Sequence, residues 1–260
     1  MKRKLPNITD KLVGVSAIAL LLALWQLLSV LKVVPEFMLP SPVQVVKAFI
    51  NDFPLLLGHA RITMWEAFLG LLFGVITGFM MAVVMDHFVL IRKSFYPIIV
   101  ITQTVPTVAI APLLVLWFGY GVMPKVILII IVTFFPIAVG LLDGFQSADK
   151  DSINLMRAMG ATRLQIFRYI KFPNSLNQFF AALRISASYS IVGAVISEWL
   201  GGFEGLGVYM TRVKKAYAFD KMFAVIFLIS AVSLLLMYGV KVLQRMCMPW
   251  EKRETDRTMN

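Results

Sequence analysis

Apolar residues run through this chain in long blocks, broken at a few points by short clusters of charge. Blocks long enough to cross a bilayer as helices predict six spans, at about residues 12–31, 67–85, 95–118, 126–142, 181–200 and 222–240. The expected fold is all-α and membrane-integral, one membrane domain over residues 1–260. Span 1 follows Lys2, Arg3, Lys4 and Lys11. It is longer than the core of a cleaved leader and no clear Ala-x-Ala site follows, so it is read as a retained span. Those cations place the N-terminus in the cytoplasm. Lys241, Arg245, Lys252, Arg253 and Arg257 do the same for the C-terminus. Arg212, Lys214, Lys215 and Lys221 fall outside in this topology and run against the positive-inside rule.

Finer patterning marks particular elements. Ser41 and Pro42 read as N-cap and first residue of a short outer amphipathic helix ending near Pro54, with Val46, Phe49, Ile50 and Phe53 on one face. Gly70, Gly74, Gly78 and Ala82 recur every fourth residue and form a stripe that another helix can approach closely. Asp86 to Lys93 reads as a short turn. The uncharged stretch 94–124 exceeds one straight span and is interrupted by Pro97, Pro106 and Pro112. Gln103, Thr104 and Thr107 flank Pro106. They either line a pathway or satisfy carbonyls freed by a proline kink. Ser186, Ser190, Gly193 and Ser197 form a small polar stripe suited to tight packing or to a water-lined route, and Glu198 follows near the outer end. Gln103, Thr104, Ser190 and Glu198 are the candidate pathway residues. Gly201, Gly202, Gly205 and Gly207 predict a flexible outer loop.

The longest charged interruption, residues 149–175, reads as an elbow of two short helices between spans 4 and 5. Asp151 or Ser152 can cap the first, which carries Ile153, Leu155, Met156 and Met159. Gly160 stands where a helix end favours a left-handed residue. Thr162 and Gln165 form a capping box for the second helix, which carries Leu164, Phe167 and Ile170 and is expected to stop at Pro173. Arg157, Arg163, Arg168 and Lys171 make it basic. Such an elbow either rests on lipid headgroups or docks another protein.

Composition narrows the function. Of 260 residues, 59% are hydrophobic and 15% charged, and the net charge of +11 fits anchoring at an anionic bilayer rather than nucleic-acid binding. Cys247 is the single cysteine, so no internal disulfide forms. The chain has no G-x-x-x-x-G-K-[S/T], no H-E-x-x-H and no G-x-S-x-G, and its histidines are His59 and His87. No catalytic cluster, metal set or cofactor site stands out. Carboxylates within the spans are nearly absent, which weakens a proton-coupled carrier. A stand-alone channel or carrier, or the membrane half of a motor-driven machine, remains.

At the elbow the chain resembles the inner-membrane permease subunits of binding-protein-dependent ABC importers. Gly160 is followed at the family's spacing by Ile170-Lys171-Phe172-Pro173, and Gly160-Ala161-Thr162 resembles the family's Gly-Ala-Ser/Thr turn. Asn154-Leu155-Met156 stand where the family has Glu-Ala-Ala. Leu39-Pro40-Ser41-Pro42, Val105-Pro106 with Ala111 to Gly119, and Ser197-Glu198 with Gly205-Leu206-Gly207 resemble motifs of the nitrate, sulfonate and taurine branch, which also includes thiamine-precursor permeases. The resemblance implies a multi-pass protein of the bacterial inner membrane that pairs with a second, identical permease chain. A separate dimer of cytoplasmic ATPases, carrying ATP and Mg, would dock on Leu155, Met156, Arg157, Met159, Gly160 and Ala161. An extracytoplasmic binding protein would deliver the solute, and the elbow would pass the motor's movement to the spans.

Overall fold

The computed structural model describes residues 8–249, apart from 33, 36 and 37. It is all helix, with no strand among the described residues. Eleven helices follow in order: α1 Ile8–Val30, α2 Pro42–Asn51, α3 Phe53–His87, α4 Val89–Thr102, α5 Thr107–Phe118, α6 Val122–Gln146, α7 Lys150–Ala158, α8 Arg163–Ile166, α9 Phe172–Gly201, α10 Leu206–Lys215 and α11 Phe219–Cys247.

The core is built where small residues let helices meet. Along α3, a Cβ added at Gly70 would collide with Ile129, one at Gly74 with Thr133, and one at Gly78 with Ile137. Each step of four on α3 is matched by a step of four on α6, so the two helices run parallel in close contact. The partner of the glycine stripe thus lies in the same chain. Helix α9 runs antiparallel to both, with Ser186 donating to the Thr133 carbonyl at 2.9 Å and Gly144 set against Ser175. Helix α11 completes the core. Val225 clusters with Leu56 at one end, Val232 with Ala67 and Ile191 midway, and Val240 packs on the cluster that includes Phe145 and Phe180 at the other.

Parallel packing of α3 and α6 imposes a crossing between them. The chain leaves α3 at one end of the bundle and starts α6 at the other, so α4 and α5 carry it back. They are bent 97° to each other. The break falls before Pro106, which opens α5 in extended conformation, while Pro97 and Pro112 lie within the helices. Helix α1 reaches the core through Trp25, which packs against Phe223 and Phe227 and donates its indole N–H to the Pro40 carbonyl at 3.0 Å.

Several boundaries differ from the sequence reading. Among the described residues, α3, α6, α11 and the continuous helical piece Arg163–Gly201 are each long and apolar enough to cross a membrane. The bent α4–α5 pair is long and apolar enough only when its two helices are taken together, and the apolar part of α1, Ser16–Val30, is shorter. On length and apolarity the described helices give four spans, or five if the bent pair counts as one, and six is not reached. Helix α3 starts well before residue 67, because its first turns carry polar residues that end an apolar run but not a helix. The turn expected at 86–93 contracts to Phe88, with Arg92 and Lys93 already on α4. Pro173 does not stop the second elbow helix. A π turn, Phe167–Lys171, precedes it, and the Phe172 N–H bonds to the Phe167 carbonyl five residues back. The extra residue shifts the carbonyl that a proline ring would strike in an α-helix, so Pro173 enters at the start of α9 without breaking the rod. The glycine-rich segment 201–207 is no loose loop. It folds tightly into α10, an element the sequence reading missed.

Gly58, exposed on α3, has nothing near its would-be Cβ, unlike Gly74. Gly74→Leu is expected to lower the melting temperature of the purified chain in detergent, by the equivalent of about 1–3 kcal/mol of overpacking. Gly58→Ala should leave the melting temperature unchanged or raise it.

Candidate functional site

Helix α7 begins one residue ahead of the expected caps. Asp149, not Asp151 or Ser152, takes the N-cap, accepting from the Ser152 N–H at 2.9 Å and the Asp151 N–H at 3.3 Å. Asp149 has a non-helical backbone (φ −58°, ψ 122°), as an N-cap does, whereas Asp151 and Ser152 are already helical. Bonds from the Ser152 hydroxyl first, then from the two backbone N–H groups, hold its carboxyl below the ordinary 3.8. The helix closes in a Schellman turn. Gly160 donates to the Arg157 carbonyl and Ala161 to the Met156 carbonyl, with Gly160 at φ +82°. Thr162 and Gln165 form the expected capping box on α8.

This folding sorts the candidate docking residues. Leu155 and Met159, one helical turn apart, point away from the protein with 64% and 77% exposure, and Leu164 on α8 joins them at 74%. Arg157 is exposed in the last turn of α7, while Met156 and Ala161 are half-buried. No residue of α7 is buried. The rod behind the elbow is better anchored. Lys171, at the end of the π turn, meets Asp86 of α3 at 2.7 and 2.8 Å, and Phe167 packs on Phe145 of α6.

The pathway candidates fall in two places. Gln103 and Thr104 sit together at the α4–α5 bend, exposed, with the Thr104 hydroxyl donating to the Ile101 carbonyl. Ser190 and Glu198 lie on α9 in the packed interior. The Ser190 hydroxyl donates to the Ala187 carbonyl. Glu198 accepts from the Thr63 hydroxyl at 2.7 Å and the Gly207 N–H at 2.6 Å.

Glu198 belongs to a buried polar cluster that the sequence reading missed. Lys125 of α6 meets Glu66 of α3 at 2.6 Å, with both side chains shielded from solvent. The Leu206 N–H donates to the Thr63 hydroxyl, and the Gly205 N–H to the His59 ring. Gly205 stands at φ +122°, where an added Cβ would strike the Glu198 carboxylate. The cluster therefore ties α3, α6, α9 and α10 together at the end of the bundle opposite the elbow. Nearby, at the surface, Asp52 accepts from Lys221 at 2.8 Å and from the Tyr209 hydroxyl. The Lys221 bond first, then the Tyr209 bond, holds the Asp52 carboxyl below its ordinary 3.8.

Residues 74–247 match the family described as "Binding-protein-dependent transport system inner membrane component". The formylaminopyrimidine transport permease protein ThiX of Halalkalibacterium halodurans is 33% identical over 90% of this chain and 94% of its own. The taurine transport system permease protein TauC of Escherichia coli is 27% identical over 96% and 94%. Among solved structures, the inward-facing MetNI methionine ABC transporter superposes with a TM-score of 0.67 at 19% identity, covering 75% of this chain and 97% of that one. An amino acid ABC transporter crystallised with histidines gives 0.61 at 19% identity, over 79% and 96%.

Two predictions test the end of the bundle opposite the elbow. Lys125→Met strands a buried carboxylate and is expected to cost about 3–5 kcal/mol. Adding Glu66→Leu should restore much of that in a double-mutant melting cycle. The Asp52 carboxyl is depressed by folding, so its stabilisation is present above 3.8 and lost as pH falls through its lower folded value. Asp52→Asn should flatten that acid limb of the melting temperature.

Proposed function

Because the chain belongs to the family of binding-protein-dependent transport inner membrane components, and is a membrane-spanning permease subunit of an ABC importer, we propose that its elbow is the surface through which a separate ATPase drives it. The observation that carries this reading is the exposed apolar pair Leu155 and Met159 on a well-capped helix with no buried residue of its own. An apolar pair this exposed on a charged helix suits a protein groove better than water. Arg157, Met156 and Ala161 frame it, and the left-handed Gly160 sets the angle to α8. ATP and Mg belong to the partner, a cytoplasmic ATPase dimer.

In this reading the elbow faces the cytoplasm of a bacterium. Helix α1 is the sixth span, both termini are cytoplasmic, and the membrane is the inner one. The end that carries Glu198 faces the binding protein. A second copy of the chain completes the pathway, with Gln103 and Thr104 at the α4–α5 bend and Ser190 and Glu198 on α9 as pathway positions that open only as the bundle moves. The solute is a small organic or oxyanion species of the sulfonate, taurine, nitrate or thiamine-precursor type. Identity of 33% to a formylaminopyrimidine permease against 27% to a taurine permease supports the heterocyclic end of that range.

Affinity purification of the tagged chain from its native membranes tests the docking surface. An ATPase with a phosphate-binding loop is expected to co-purify in stoichiometric amount. It should be lost from the Leu155→Glu, Met159→Glu double variant. Gly160→Val, which forces a branched side chain into φ +82°, should leave the chain in the membrane but uncouple ATP hydrolysis from uptake. Full uptake by well-expressed Gly160→Val, or no ATPase with the native chain, would sink the reading.

A further inference from the structure

A second feature lies at the elbow end of the bundle, away from α7. Between the first turns of α4 and the last turns of α6 is a cleft of about 290 Å³, lined by Arg92, Lys93 and Tyr96 on one wall and by Asp143 and Gln146 on the other. Its two cations are unmatched. Lys125, Lys171 and Lys221 each meet a carboxylate. Among the described residues, Arg92 and Lys93 meet none within ion-pair distance, although Asp143 lines the same cleft.

Their position makes this costly as it stands. Both sit in the opening turns of α4, where the helix dipole repels positive charge. The N-cap is Phe88, which offers no side-chain acceptor to the first N–H groups. The positive charge of these two side chains, both on the cleft wall, favours an anion there. The cleft's formal charge, two cations less one carboxylate, is +1, which matches a singly charged oxyanion better than a dianion. Tyr96 supplies a hydroxyl donor. Asp143 and Gln146 supply acceptors for a hydroxyl or ammonium carried beside the anion.

We propose that this cleft binds a phosphate group of the phosphodiester kind, held by Arg92, Lys93 and Tyr96, with Asp143 and Gln146 taking the polar group esterified to it. Two sources share that chemistry. One is the headgroup of an anionic phospholipid in the leaflet at the elbow end. The other is a free phosphate-bearing solute. Naming that leaflet the cytoplasmic one rests on the orientation proposed above, but the cleft itself does not.

The test is native mass spectrometry of the full-length chain, purified in mild detergent with whatever partners it retains, delipidated, and titrated with phosphatidylglycerol or with inorganic phosphate. The native chain is expected to hold one phosphatidylglycerol about tenfold more tightly than either Arg92→Gln or Lys93→Glu. Asp143→Asn is expected to hold it as tightly as the native chain or more so. Retention that excess inorganic phosphate does not displace assigns the lipid source. Displacement by phosphate, with phosphate adducts on the native chain alone, assigns the free anion. Equal lipid retention by the native chain and all three variants, with no phosphate adduct, overturns the site. Arg92→Lys, which keeps the charge, is expected to hold the lipid within about twofold of the native chain, and an unchanged melting temperature of Arg92→Gln separates lost charge from misfolding. Loss of a co-purifying ATPase with retained lipid would count against the elbow reading and leave this one standing.

Discussion

The contact on which this fold depends is the close approach of α3 and α6 along one glycine stripe. In a bilayer, moving apolar side chains from lipid to protein gains little, so helices are held by tight packing and by polar contacts. Gly70, Gly74 and Gly78 supply the first and fix a register in steps of four. Continuing that register one step toward the start of both helices places Glu66 opposite Lys125, where the 2.6 Å ion pair forms. The packing and the buried charge are therefore one arrangement. The parallel course of the two helices also dictates that residues between them recross the bundle, which the bent α4–α5 pair does.

The two ends of the bundle are held very differently. Opposite the elbow, backbone N–H groups of residues 205–207 are spent on Glu198, Thr63 and His59, so a turn rich in glycine is pinned by buried acceptors. At the elbow end, α7 buries nothing, and among the links back to the core are the Lys171–Asp86 pair and the Phe167–Phe145 contact. Both act through the π turn. A π turn holds one extra residue in a continuous helix and is frequent at functional sites. The elbow is thus joined to a long rod at the point where that rod departs from regular α geometry.

Much of this was legible in the residues, and the failures have physical causes. Capping signals are local, so Ser41-Pro42, Gly160 and the Thr162–Gln165 box each stand where the sequence placed them. The glycine stripe showed that a close contact exists but not with which helix, because a partner in space leaves no mark on spacing. Glu66 and Lys125 were passed over because each sits beside an apolar run and looks like a boundary residue when its partner is unseen. Pro173 was read as a stop because the α-helical penalty assumes α-helical bonding, and the π turn removes that premise. The family motifs covered the elbow and the Glu198 turn together, which no periodicity argument would have linked.

The buried cluster also bears on why the elbow motifs and the Glu198 motif occur in one chain. Helix α9 continues through the π turn into α8, so Arg163–Gly201 is a single helical piece reaching from the exposed elbow to the buried carboxylate. In the proposed reading, movement applied at α7 would reach that piece at one end, while Glu198 holds its other end to α3 and α10. A rod fixed at the far end and driven at the near end pivots rather than slides. Its small-residue face, with Ser186 on the Thr133 carbonyl and Gly193 against Ile129 and Val132, lies along α6 and is the surface such a pivot would shear. Hydroxyls bonded to carbonyls can be exchanged along a helix at little cost, whereas the Glu66–Lys125 pair cannot be parted without stranding charge. Rearrangement is therefore easier along the Ser186 to Gly193 stretch than at the Glu66–Lys125 pair.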